Sequence, residues 1–87
     1  MNTQGKYVIG EIQDGISSFV VAVCFPEHIG HNTVARKLFS QEVIAGGFFS
    51  IDHEGSVRVY GASTSTGSKS RPGEDERLIC QALGLEC

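Results

Sequence analysis

The chain has no tryptophan, one methionine, two prolines, and seven basic residues against ten acidic ones. The shortage of positive charge argues against bulk nucleic-acid binding, which needs clustered Lys and Arg to displace counterions from phosphates. Only Arg36 with Lys37, and Lys69 with Arg71, lie close together. Long apolar runs are also missing. The longest, Phe19–Phe25, is too short to span a bilayer, and no membrane association is expected. Met1–Gly5 is polar and leads directly into a strand pattern, so no signal peptide is expected. The three cysteines, Cys24, Cys80 and Cys87, form no CxxC pair. That spacing points to reduced thiols, two of them packed as small hydrophobes, in a cytoplasmic protein. His28 and His31 stand three apart with Cys24 upstream, but no second ligand pair accompanies them, and His53 sits alone in a turn. Neither a metal nor a cofactor is implied.

What remains is the composition of a globular protein, 40% hydrophobic and 20% charged over 87 residues. There is room for one core, so residues 1–87 read as a single α+β domain. Lys6–Ile12 is β-branched and aromatic, Gln13-Asp14-Gly15 supplies a turn, and Ile16–Phe25 reads as a second strand. The unbroken apolar run Val20–Cys24 suggests burial on both faces. Pro26 ends that strand. A helix follows, capped by His31, Asn32 or Thr33, with Val34, Ala35, Leu38 and Phe39 at helical spacing. Val43–Asp52 is a third strand whose Gly46-Gly47 pair marks a bulge or a close backbone approach. Ser56–Tyr60 alternates as a fourth strand, and Pro72 opens a second helix with Leu78, Ile79, Ala82 and Leu83 as its apolar stripe. Two strand-strand-helix units thus build a mainly antiparallel sheet flanked by two helices.

Between the fourth strand and the second helix lies Gly61-Ala62-Ser63-Thr64-Ser65-Thr66-Gly67-Ser68. Glycines at both ends let consecutive amides point into one concavity, and the hydroxyls add donors suited to an oxyanion. Lys69 and Arg71 follow directly. The GxxxxGK[ST] spacing of a nucleotide loop is absent. His31 opens a helix, where the positive end of the dipole favours a neutral imidazole able to accept a proton. On local sequence alone a surface capping role is the favoured reading.

These features resemble the protein phosphohistidine phosphatase family, also called Janus/Ocnus. The resemblance rests on Gly46-Gly47, on Val59-Tyr60-Gly61-Ala62-Ser63 followed by Gly67, on Lys6-Tyr7-Val8 in the first strand, and on His31 at the helix before the glycine pair. It implies the phosphohistidine-phosphatase-like fold and a small, metal-independent phosphatase acting on a phosphorylated protein. His31 would be the general base, while Lys6, Ser63, Thr64, Ser65, Thr66, Gly67 and Arg71 would hold the phosphoryl group. The chain departs from the family pattern at Phe48, where the family often has arginine, and at Ala62 and Thr66, where it has bulkier residues. Arg71 stands for a histidine, keeping a cation but not a proton shuttle. The sequence also reaches Cys87 before the family's last strand, which would leave a sheet edge for a homodimer to cover. These departures favour the alternative, a non-catalytic anion- or protein-binding module on the same scaffold, such as an accessory protein of a mobile element.

Overall fold

The computed structural model describes residues 3–38, 43–63 and 66–85. Its elements are β1 (Thr3–Asp14), β2 (Ser17–Phe25), α1 (His31–Leu38), β3 (Val43–Ile51), β4 (Val57–Tyr60), β5 (Ala62–Ser63), β6 (Ser68–Lys69) and α2 (Glu74–Ala82). The first four strands form one sheet in the order β2-β1-β3-β4, every pair antiparallel. The expected α+β architecture is therefore present, with a small addition. Part of the hydroxyl loop pairs as a second, two-stranded sheet, Ala62 opposite Lys69 and Ser63 opposite Ser68.

Alternation along the strands assigns the two helices to opposite faces. Tyr7, Ile9, Ala45, Phe49 and Val59 pack with Ile79 of α2. Val8 and Phe25 pack with Ala35 of α1, bordered by Val21, Val23 and Val34. The register agrees, since Tyr7 faces Cys24 and Gly47 while Val8 faces Val23 and Gly46.

The β1–β2 turn closes on Asp14 opposite Ser17, with Gly15 at φ 65°. Glycine at the first of two loop positions matches the type II′ turn that fits strand twist. The strand bulge falls one turn of the pleat away from the glycine pair. Ile9 faces Ala45 and Gly10 faces Val43, so Ile44 is the extra residue. Gly46 and Gly47 are instead close-approach positions. A Cβ on Gly46 would stand 3.2 Å from Ser63 Cβ, and one on Gly47 would stand 2.7 Å from the Tyr60 carbonyl oxygen.

The expectation for β2 needs correcting. It is an edge strand, half-exposed to exposed from Ser17 to Cys24, and not buried on both faces. Its apolar run reflects an uncovered edge with one helix packed beside it, a situation that composition does not separate from a central strand.

The helix ends follow local chemistry. Gly30 takes the N-cap role for α1, its carbonyl accepting the Thr33 and Val34 amides. Pro72 and Gly73 form the turn before α2, and the Glu76 carboxylate accepts the Gly73 amide at 3.1 Å. At the other end Gly84, with φ 71°, completes a Schellman motif: its amide reaches Gln81 O and the Leu85 amide reaches Cys80 O.

Cys80 is disulfide-bonded and Cys24 is a free thiol. The expectation of reduced thiols throughout is thereby corrected. Disulfides persist in oxidising surroundings, so the thiol argument for a cytoplasmic location no longer holds. No helix among the described residues is long and apolar enough to cross a membrane.

Candidate functional site

His31 is the first residue of α1, and its side chain turns inward; only 6% of the residue is exposed. Two aromatic rings hold it edge-on, Phe25 at 5.5 Å and Phe48 at 5.7 Å between centroids. Its Nε2 lies 2.8 Å from the carbonyl oxygen of Gly47. A carbonyl only accepts, so Nε2 carries the proton, and the neutral ring holds its lone pair on Nδ1. The Gly47 carbonyl is available because the β3–β4 ladder pairs only Phe48–Ile51 of β3. The start of β3 is served by side chains instead: Ser68 Oγ donates to Val43 O at 3.3 Å.

Lys6 shares this face of the sheet. It stands opposite Phe25 on one side and Phe48 on the other, and its ammonium donates to Ile29 O at 3.2 Å, just before α1. Ser63 is buried and packs over Gly46, the neighbour of the residue that anchors His31. Thr66 Oγ1 donates to Ser63 Oγ at 2.6 Å, which leaves the Ser63 hydroxyl proton as a donor. Lys6, His31 and Ser63 thus share the α1 face, His31 bonded to Gly47, Ser63 packed over Gly46 and Lys6 opposite Phe48 in the register.

The rest of the expected phosphate set is arranged differently. Thr64 and Ser65 lie outside the described residues. Gly67, at φ 71°, turns the β5–β6 hairpin in the exposed position that only glycine adopts readily. The neighbouring hydroxyls serve the fold, Ser68 through Val43 and Ser70 through Gly61 O at 2.8 Å.

Arg71 lies on the other face. Its Nε is 2.8 Å from Asp75 Oδ1 and its Nη1 is 3.1 Å from Glu74 Oε2. Its amide also donates to Asp75 Oδ2 at 2.7 Å. Asp75 is fully buried and accepts the Tyr7 hydroxyl at 2.5 Å as well. Burial, together with the hydrogen bond and the negative charge of Asp75, holds the Tyr7 phenol far above its usual range. The guanidinium is thus committed to the start of α2 across the sheet from His31.

Sequence reasoning missed Asp75. It is one of three acids, Glu74, Asp75 and Glu76, in the first turn of α2, where acids favour the helix dipole. Its spacing of four from Arg71 was the available signal, but only the sheet brings Tyr7 to it.

Among the described residues no group of three His, Cys, Asp or Glu is placed to hold a metal ion. The Cys24 thiol is pushed up to about 11 by burial, which makes it a poor nucleophile near neutrality. A cleft of about 390 Å³ lies between the β3–β4 turn and α2, lined by Glu54, Ser56, Gly73, Glu76 and Arg77, away from His31. The site and the fold together define an α+β domain with an imidazole, an ammonium and a hydroxyl on one face of its sheet. No family model, curated protein or solved structure matches the chain.

Proposed function

We propose that the α1 face binds a phosphoryl or similar oxyanion, and that the protein is a small phosphatase-like protein whose substrate class is phosphorylated protein, phosphohistidine first. The observation that carries this reading is the buried His31 ring fixed by Gly47 O at 2.8 Å. A fixed tautomer with the lone pair on Nδ1 is what a general base requires. Lys6 would offset the phosphoryl charge, and the Ser63 hydroxyl with nearby amides would hold the oxygens. His31 Nδ1 would take a proton from water as that water attacks phosphorus and the P–N bond breaks. The leaving imidazole departs with the bond's electron pair and is protonated from solvent. The P–N bond is labile, so positioning and charge neutralisation are the main demands on the site.

Titration with inorganic phosphate, followed by amide and imidazole ¹⁵N shifts, tests the binding step. Shifts confined to His31, Lys6 and the Ser63–Ser68 segment support it, and a flat titration sinks it. Turnover is tested separately on phosphohistidine-bearing protein, where His31→Ala must abolish release of phosphate.

A second reading, a non-catalytic binding module, is favoured by a specific observation. Arg71, the cation expected at the site, is tied to Asp75 and Glu74, and Phe48 occupies the strand position beside His31. Phosphate binding without turnover would select this reading.

A further inference from the structure

The two edges of the sheet are protected very differently. β4, at one edge, is four residues long and carries Arg58, and the β5–β6 hairpin packs against β3. Shortness and charge are usual defences of an edge. β2, at the other edge, runs nine residues as Ser-Ser-Phe-Val-Val-Ala-Val-Cys-Phe, with no charge, no proline and no bulge against β1. Among the described residues nothing pairs with its outer side. Alternate residues of such a strand turn their amide and carbonyl groups outward. Apolar side chains flank that edge on both faces: Phe19 is 49% exposed toward the α1 side and Val20 is 47% exposed toward the α2 side.

We propose that β2 is a dimerisation edge, pairing antiparallel with β2 of a second copy of this chain about a two-fold axis perpendicular to the sheet. That operation keeps each face on its own side, so one eight-stranded sheet results with matching helices on each face. An uncharged strand meets itself with no like-charge conflict. On the α2 side, a cleft of about 250 Å³ lined by Val20, Val21, Ala22, Leu78, Gln81 and Ala82 runs along the edge. Leu83, which follows Ala82, is 43% exposed, and the partner's apolar row would fill this cleft. The area is sufficient. Nine residues extend about 30 Å, and with a molecular thickness of 18 Å the contact buries roughly 1,000 Å² over both copies, the lower bound of a specific interface.

Sedimentation velocity and light scattering on the full chain over a wide concentration range test the proposal. The expected result is a species of twice the 9.3 kDa chain mass. The double variant Phe19→Lys/Val20→Lys should weaken association by about tenfold or more while leaving the far-ultraviolet spectrum unchanged. Should that variant misfold, Ser18→Lys, at an exposed polar position of the same edge, should do the same. An equimolar mixture of Val20→Lys and Val20→Glu chains should re-associate, because strand meets like strand. A wild-type chain monomeric at millimolar concentration overturns the proposal. So does a dimer indifferent to these substitutions, or a monomer that sediments with phosphatidylcholine vesicles through the same apolar edge.

Discussion

The two faces of the sheet use their polar groups in opposite ways. On the α2 face they hold elements together. Asp75 accepts from Tyr7 of β1 and twice from Arg71, while Glu76 accepts from Val59 of β4 and from Gly73. Each carboxylate spans two elements, and Asp75 is wholly buried. On the α1 face the polar groups converge at one point and join little. Among the described residues the His31 and Lys6 side chains each make one hydrogen bond, to the carbonyls of Gly47 and Ile29. One face closes the fold through charge, and the other leaves an imidazole nitrogen and an ammonium with capacity to spare.

That contrast is most severely tested at Asp75. Asp75→Ala removes the acceptor of three donors and strands the Tyr7 hydroxyl in the core, at a cost of about 3 kcal/mol. Urea denaturation would show a midpoint lowered to match; an unchanged midpoint would mean that the α2 face is not held this way. Gly47→Ala comes next, at about 2 kcal/mol, because the new methyl group meets the Tyr60 carbonyl oxygen at 2.7 Å and backbone must shift. It acts from the α2 side of β3 yet displaces the carbonyl that fixes His31, so altered His31 ¹⁵N shifts should accompany the loss.

Tyr7→Phe should cost about 1–2 kcal/mol, less than Asp75→Ala because Arg71 still satisfies the carboxylate. The same phenol sets a pH dependence. Its folded pKa lies above the unfolded value of 10.0, so its stabilisation is complete below pH 10 and declines as the unfolded chain ionises above it. Denaturation midpoints for the wild type should therefore fall more steeply at alkaline pH than those of Tyr7→Phe. Equal slopes would remove Tyr7 from the account.

Much of the architecture was legible in the sequence because local signals and tertiary demands agree there. The turn at Gly15, the stop at Pro26, the alternation of β4 and the end of α2 at Gly84 each depend on a few neighbouring residues. Burial of β2 was misjudged because an apolar run does not report whether a neighbour strand exists. The Gly46-Gly47 approach was read correctly, yet the bulge lies at Ile44, where nothing in the side chain announces it. At the site, Lys6, His31 and Ser63 were named from the chain, and the fold places them on one face of the sheet. Arg71 was expected to hold phosphate and is instead tied to Asp75, which was not separable from ordinary surface charge because its role depends on Tyr7 from the opposite end of the sequence. Pairing of Cys80 likewise depends on distance in space, which an odd cysteine count conceals.

The smallest stability effect is the sharpest test of the difference between the faces. Lys6→Met keeps the aliphatic stem packed between Phe25 and Phe48 and removes only the ammonium with its hydrogen bond to Ile29 O. The group is half-buried and bonded to a neutral acceptor, so after allowance for solvent screening the cost should be about 0.5–1 kcal/mol. The phosphate response should fall far more, because the proposed site uses this ammonium to offset the phosphoryl charge. A loss of stability approaching that of Asp75→Ala would make the ammonium a structural clamp like Arg71, and the two faces would then differ in residues but not in kind. A small loss of stability with a lost phosphate response places the ammonium's work on the ligand.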